Sequence, residues 1–585
     1  MPEEPNERRV VPGQSTICLI RPPAVESFRF TSTSLALPLG LAYICGALKA
    51  DDQDVYVLDA VGEAPDSRTR YCQGFLVGLP LEQIVERIPL HADIIGITVI
   101  FTHEWPAVVR LIALIRQRFP QSTIVVGGEH CTSLPEFSLL SSQADVAVLG
   151  EGEETAVELV RALRAREPLD SIHGIAFRRA GEVRVNKRRE RHVNVDDIPV
   201  PDWLSFAPAI YHQHRFVGGM YSSRMTMPIL ATRGCPYQCT YCSAPNMWTP
   251  RWIPRDPVKV VDEIESYVER YGAGNFPFQD LTAIIQKDWI KSFCEELIRR
   301  QLNIRWQLPT GTRSEAIDPA VAQLLKASGM TSMAYAPESG SEETRRFIKK
   351  KMTASKLFAS IDAAVGAGLN VAVFLVIGFP HDRPEHLAEN MPFVDELGRR
   401  GVRDLSVGFY MALPGTELFH SLYDAGRIRL DRHYFRHILE SLAIVPSQSY
   451  CDALRPSDLI WWKLKLYRRF YGANKTGSPW RMLQSFMRAL GGLFERDHTT
   501  RLQSAFRNLL TSSLQTVRVV FRPRYMNKAD ELAMFASWDG IYRRIREQNL
   551  ASGVVSLAPA NSTELHRTNV ISVLTKEHAT AHSIA

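Results

Sequence analysis

The sequence predicts an α/β protein with an N-terminal doubly wound parallel sheet, a central partial barrel of six βα units, and a mostly helical C-terminal region. Three observations predict it. Apolar runs of strand length alternate with helix-length stretches over residues 16–155, the pattern of a parallel sheet. The alternation pauses in a charged, proline-dotted stretch and resumes at Pro228. Beyond residue 430, strand signals give way to helical segments rich in Lys, Arg and aromatics.

At 585 residues the chain is long enough for about three domains. Hydrophobic residues at 45 % and charged residues at 23 % place it among ordinary globular proteins, not disordered or fibrous ones. The start, MPEEPNERRVVPG, is polar and acidic and does not read as a signal peptide. The longest apolar runs, such as residues 371–377, have strand length and fall short of the roughly 18 residues that span a bilayer. Nine cysteines, three of them clustered, point to a reducing, cytoplasmic setting and a metal site, not a disulfide framework. Cys18, Cys45, Cys72, Cys131, Cys294 and Cys451 are scattered and read as small buried hydrophobes.

In the first block, strands are expected at 16–20, 55–58, 94–100, 124–126 and 146–149, with helices over 39–48, 107–118 and 155–164. Ligands of such sheets bind beyond the carboxyl ends of the strands. Those ends carry Asp59, Thr98, Phe101, Gly127-Gly128-Glu129-His130 and Gly150-Glu151-Gly152-Glu153. Gly127 and Gly128 let the backbone approach a bulky ligand. The short basic run at 187–192 reads as a solvated face, and Pro199, Pro201 and Pro208 mark a hinge. The divisions expected are a flexible N-terminus over 1–15, a first domain over 16–190, a linker over 191–225 and a second domain over 226–430.

The second block opens on an apolar run at 229–231 that ends at Gly234. Then come Cys235, Cys239 and Cys242, spaced C-x3-C-x2-C on one tight loop. Three thiolates so placed can hold three irons of a [4Fe–4S] cluster and leave the fourth iron open. A structural zinc site is the alternative; it needs a fourth ligand, and His212 and His214 do not lie at a familiar zinc spacing. Further strands are expected at 275–279, 304–308, 332–336, 371–377 and 405–410. Barrel enzymes place chemistry at the C-terminal strand ends, which puts Asp280, Gln307, Arg313, Glu315, Glu338, Ser339 and Gly378 beside the cysteine loop. Arg313 and Glu315 read equally well as a rim ion pair.

The cysteine loop, with aromatic Tyr241 before its last cysteine, resembles the signature of radical S-adenosylmethionine (SAM) enzymes. Glu338-Ser339-Gly340 and Gly378-Phe379-Pro380 are similar to segments of that family near the SAM ribose, amino group and adenine. The first block resembles the cobalamin-binding domain that precedes many radical SAM domains, through Pro38-Leu39-Gly40-Leu41-Ala42-Tyr43, Asp59, Thr98, Phe101-Thr102-His103-Glu104-Trp105-Pro106 and the two glycine motifs. A Rossmann-like domain for another nucleotide is the alternative. Histidine-ligated cobalamin proteins carry Asp-x-His-x-x-Gly, whereas Val61 stands at the histidine position here. Cobalamin is therefore expected base-off without a histidine from this loop, with His103 or His130 as substitutes. The resemblance implies three cofactors, a [4Fe–4S] cluster on Cys235, Cys239 and Cys242, SAM and cobalamin. It places SAM at Tyr241, Gln307, Arg313, Glu338, Ser339 and Gly378. It places cobalamin at Asp59, Thr98, Phe101, His103, Gly127, Gly128, Glu129, Gly150 and Gly152.

The activity implied is C-methylation: SAM methylates cobalamin, a second SAM yields a deoxyadenosyl radical, and the substrate carbon radical captures the methyl group. The substrate would be a small molecule, natural product or lipid, and the electron donor a ferredoxin or flavodoxin. A non-methylating oxidative cyclase and a sensor or scaffold without radical chemistry are the alternatives. Residues 431–550 are expected to be a helical basic domain and 551–585 a disordered tail. Residues 455–524 carry 14 Lys or Arg against 3 Asp or Glu, interleaved with Trp461, Trp462, Tyr467, Phe470, Tyr471, Trp480, Phe486, Phe494 and Phe506. A solvated cap, a peripheral contact with an anionic membrane and an anionic macromolecule all fit that pattern. No nucleic-acid motif accompanies it, so no nucleic-acid partner is expected.

Overall fold

The computed structural model describes residues 16–27, 35–72, 74–313, 315–440, 446–473 and 528–551. The expected flexible N-terminus, the tail beyond Ala551 and residues 474–527, with Trp480, Phe486, Phe494 and Phe506, lie outside the described residues. The first ten strands are β1 (Thr16–Arg21), β2 (Ala24–Ser27), β3 (Val55–Asp59), β4 (Arg68–Tyr71), β5 (Gly74–Val77), β6 (Ala92–Thr98), β7 (Thr123–Gly127), β8 (Val146–Val148), β9 (Ile175–Arg179) and β10 (Glu182–Val185).

Seven of these form one sheet in the order β10-β9-β8-β7-β6-β1-β3. The five strands from β8 to β3 are parallel. Helices cover both faces, so β1 and β6 bury nearly every residue on either side. The order of the parallel strands reverses between β1 and β6, and at such a switch point a crevice opens beyond the carboxyl ends.

Two hairpins were not anticipated. β2, β5 and β4 form a separate antiparallel sheet, and β9–β10 extends the main sheet on its β8 edge. The β9–β10 turn consists of Ala180 and Gly181, both at positive φ. Asn-Gly or Asp-Gly normally announces such a turn, and alanine gives no such signal.

The second sheet is β13 (Asn275–Pro277), β14 (Arg305–Thr312), β15 (Met330–Glu338), β16 (Asn370–Ile377) and β17 (Asp404–Phe409), all parallel and in sequence order. The strand expected at 229–231 is reduced to parallel bridges, Thr226 with Asn275 and Ile229 with Phe278. The carboxylate of Asp280 then takes over, accepting from the backbone N–H of Ala231 (3.2 Å) and Thr232 (2.5 Å). The chain next pairs antiparallel as β11 (Thr232–Arg233) with β12 (Ile253–Pro254). The result is an open half-barrel.

Two C-terminal segments close the structure. Helix Pro456–Ala473 packs on β17 and on helix Pro384–Arg399. Helix Trp538–Ala551 returns to the first block, where Trp538 meets Phe137 of helix Pro135–Leu140 edge-on at 5.6 Å. His130 lies fully buried between Trp105 and Phe137, and burial pushes its pKa down to about 3. His437, also buried, is pushed down to about 4 for the same reason.

Both histidines bind a proton more weakly folded than unfolded, so stability is complete above pH ~6.5 and declines as pH falls toward these values. The slope is up to roughly 1.4 kcal/mol per pH unit for each. Urea denaturation between pH 7.5 and 5 should show this loss, and His130→Phe should flatten it measurably.

Candidate active site

Gly234, at φ +88°, turns the chain out of β11; a Cβ there would sit 2.1 Å from the carbonyl oxygen of Arg251. Only glycine fits. Cys235, Cys239 and Cys242 follow on the loop, partly exposed, and helix Ala244–Trp248 ends it. Burial raises all three thiol pKa values, that of Cys242 to about 12. Such thiols ionise when a metal binds them. Three thiolates on one loop can hold three irons of a [4Fe–4S] cluster and leave the fourth iron open. The donor set fits the cluster.

Beside this loop, Glu338 ends β15 in the left-handed region at φ +66°, an uncommon conformation for a residue with a side chain. Its Oε1 accepts from Tyr241 Oη (2.7 Å) and Lys350 Nζ (3.0 Å). A carboxylate held on one oxygen keeps lone pairs for a ribose hydroxyl or an ammonium group.

The loop is bolted to the first sheet by a buried ion network. Arg233, buried in full, donates to Glu151 Oε1 (3.1 Å) and Glu153 Oε1 (2.7 Å). Its guanidinium lies over the rings of Tyr43 (4.8 Å) and Trp248 (5.6 Å). Burial alone would raise the pKa of Glu153, but the Arg233 charge holds it below the usual carboxylate range. Arg191 donates to Glu151 Oε2 (2.6 Å), and Arg188 to the carbonyl of Met247 (2.6 Å).

Between the sheets lies a cavity of about 1390 Å³. Drug-sized ligands fill roughly 300–1,000 Å³, so this space suits a macrocycle with a second molecule beside it. Thr98, Phe101, Gly127, Gly128, Glu129, Gly150 and Gly152 line one side; Cys242, Trp248 and Thr310 line the other. A Cβ on Gly128 (φ +124°) would meet the Val99 carbonyl oxygen at 2.4 Å, whereas one on Gly127 meets nothing closer than 3.5 Å. Gly128 is thus required by the turn, and Gly127 leaves open space toward the cavity. Burial raises the Glu129 carboxyl to about 7.

Several expected contacts sit elsewhere. Asp59 does not line the cavity: it caps helix Ala60–Glu63 and accepts from Tyr211 Oη at 2.7 and 2.9 Å. His103 also stays off the wall, its ring stacked on Phe101. Val61 and His130 are core residues, so neither named histidine reaches the cavity. Gln307 is spent on structure. Its amide donates to the Met220 carbonyl and accepts from the Met220 N–H, both at 2.8 Å, as a strand would.

Arg313 adopts the rim arrangement, stacked on Tyr237 at 3.8 Å, paired with Glu315 at 3.3 Å and donating to the Lys351 carbonyl. Ser339 donates to Asn390 and accepts from the Ser341 N–H, and Gly378 (φ +91°) donates to Asp382. Sequence reasoning missed Arg233, Trp248 and the inner face of helix Pro456–Ala473, where Lys463, Tyr467 and Tyr471 line the cavity. An arginine between an apolar strand and a glycine was the one available signal.

The chain matches the family model of the B12 binding domain over residues 29–160 and that of the radical SAM superfamily over residues 229–394. It is 26 % identical over 461 residues to the cytidylyl-2-hydroxyethylphosphonate methyltransferase of Streptomyces wedmorensis, covering 72 % of this chain and 84 % of that one. It is also 26 % identical over 441 residues to the anaerobic magnesium-protoporphyrin IX monomethyl ester cyclase of Rubrivivax gelatinosus, covering 74 % and 73 %. The fold is similar to that of the radical SAM methyltransferase TsrM from Kitasatospora setae, solved with cobalamin and a [4Fe–4S] cluster bound. The TM-score is 0.60 at 16 % identity, over 86 % of this chain and 99 % of that one.

Arg233→Met should cost roughly 3–5 kcal/mol, because it leaves Glu153 buried without its partner while Glu151 keeps only Arg191. Thermal denaturation of the apo-protein checks this, and Glu153→Leu added to Arg233→Met should recover part of the loss. Gly127→Phe should fill the cavity and cut cobalt content at least tenfold while iron content and melting temperature hold. Gly128→Ala should instead lower stability by roughly 1–3 kcal/mol, seen in the same melts.

Proposed function

We propose that this chain, which belongs to the cobalamin-dependent radical SAM enzymes, transfers a methyl group from SAM to an unactivated or weakly nucleophilic carbon of a small molecule. The observation that carries this reading is the shared cavity: its wall holds both the glycine turns at the ends of the first sheet and Cys242 of the cysteine loop. When bound, cobalamin supplies a methyl carrier and the cluster supplies the electron that cleaves SAM.

The remaining roles belong to the chain itself. Cys235, Cys239 and Cys242 would hold the cluster, and the open turns at Gly127 and Gly150 with Thr98, Phe101 and Glu129 would seat the corrin. Glu338 and Tyr241 would orient SAM, with Lys350 holding the Glu338 carboxylate in place. Burial acts first against the Lys350 ammonium, yet Glu338 beside it raises the Lys350 pKa overall. Arg233 over Trp248 closes one wall to water where the domains meet. A low-potential donor such as ferredoxin or flavodoxin, in a reducing compartment like the cytoplasm, would resupply electrons.

The substrate would lie between the two cofactor positions, against Ser406, Gly408 and Lys463. A lipid substrate gathered at a membrane surface is a narrower version of this reading. It rests on the basic, aromatic composition of residues 455–524 and on Trp461, which is 65 % exposed on helix Pro456–Ala473. No helix among the described residues is long and apolar enough to cross a membrane. The similarity to the R. gelatinosus cyclase favours oxidative ring closure as the second reading. Product mass separates them, since methylation adds CH2 and cyclisation removes hydrogen.

Anaerobically reconstituted protein with SAM, cobalamin and a strong reductant should form deoxyadenosine. Replacing Cys235, Cys239 and Cys242 together by Ala should abolish it, because no thiolate then holds the cluster. Mass spectrometry of extracts from a deletion strain should reveal a compound lighter by one methylene than its wild-type counterpart. Deoxyadenosine formation by the triple variant would refute the cluster assignment, and a hydrogen-rich precursor of unchanged carbon count would favour the cyclase.

A further inference from the structure

We infer that the turn after β16 and the first turn of helix Pro384–Arg399 hold a divalent transition-metal ion on His381, Asp382 and His386, outside the cavity. One ligand atom from each of these residues lies within 4.8 Å of the others, the one such group among the described residues. None of the three lines the cavity.

The site has the two layers that metal sites require. Three ring nitrogens, both of His381 and Nδ1 of His386, are buried with no hydrogen-bond partner. Buried polar atoms left unpaired are costly and rare, and an ion would take their lone pairs. His386 is nine-tenths buried, and its Nε2 lies 3.3 Å from a carboxylate oxygen of Glu343. A proton held on Nε2 by that carboxylate leaves the Nδ1 lone pair for a metal, the usual carboxylate–histidine–metal arrangement.

Asp382 is oriented in the same manner. Its Oδ2 accepts from the N–H of Gly378 (2.9 Å) and Phe379 (3.0 Å), and its Oδ1 from Thr344 Oγ1 (3.1 Å). Lone pairs remain on both oxygens. The His381 ring is fixed by stacking on Phe347 at 4.0 Å, with the His386 ring 5.0 Å away.

Two imidazoles and one carboxylate suit zinc, or cobalt or nickel in its place, and three protein ligands leave a fourth position for water. Tetrahedral bonds of about 2.0–2.1 Å would draw the donors to about 3.4 Å apart. The ion would tie helix Glu342–Phe347, which follows Glu338, to the turn that carries Phe379. The Phe379 ring in turn contacts Tyr241 of the cysteine loop at 5.5 Å. The ion would therefore brace the loop from behind, whatever reaction the cavity performs.

The test uses the full-length chain with Cys235, Cys239 and Cys242 replaced by Ala, so that no thiolate of the loop captures metal. Titration with Co2+ alone should give one equivalent bound, with the absorption of a four-coordinate ion and no thiolate charge-transfer band. His381→Ala and His386→Ala in that background should weaken binding at least 100-fold. Glu343→Gln should weaken it by roughly 10- to 100-fold. If buried His386→Ala fails to fold, half-exposed His381 and exposed Glu343 decide the matter. Absence of Co2+ binding, or binding that these variants leave unchanged, would overturn the assignment.

Discussion

The buried contact of Arg233 with Glu151 and Glu153 is the interaction on which the geometry of the site depends. A guanidinium with two carboxylates out of water is tolerated only if geometry and hydrogen bonding are near complete. Here both ends of the network belong to turns that border the cavity. Arg233 immediately precedes Gly234 and the cysteines; Glu151 and Glu153 alternate with the glycines that line the cavity. The aromatic faces of Tyr43 and Trp248 cover the guanidinium and keep water out. The two α/β units are thereby joined by paired buried charges.

Much of this was legible in the sequence wherever chemistry and pattern are local. The cysteine spacing, the strand–helix alternation and the glycine pairs at strand ends each lie within a few residues of the feature they specify. Seven of the nine residues expected to face cobalamin do line the cavity. Misreadings arose where a polar residue at a strand end meets a partner distant in sequence. Asp59 is taken by Tyr211, 152 residues on, and Gln307 by Met220, 87 residues back. At a strand end a ligand contact, a helix cap and a backbone clamp look alike; only the packing of the linker over the barrel distinguishes them. Arg233 was missed for the same reason, since its carboxylates lie about 80 residues upstream.

An open barrel raises a separate physical difficulty, because each end of its sheet presents unpaired backbone groups. On the first side, the segment at 226–231 adds two bridges and the Asp280 carboxylate satisfies the next two N–H groups. On the far side, β17 has no neighbouring strand among the described residues. Helix Pro456–Ala473 lies along it, and Tyr467 Oη accepts from the backbone N–H of Val407 at 3.1 Å. The same helix turns Lys463 and Tyr471 toward the cavity.

That arrangement explains why a C-terminal segment with no recognisable motif belongs to the site. A closed eight-stranded barrel fills its interior with its own side chains, whereas a half-barrel leaves room for a large cavity but must find another element to seal its edge. The sealing element then necessarily borders the cavity, beside Ser406 and Gly408 of the strand it covers. Lys463 sits there with its ammonium 4.5 Å from the ring of Phe409, and burial lowers its pKa to about 8. The parts that hold the cofactors are set by chemistry common to many substrates, while this helix answers only to packing on β17 and to whatever occupies the space in front of it. The side chains this helix turns toward the cavity can therefore change without disturbing the Arg233 network or the cysteine loop.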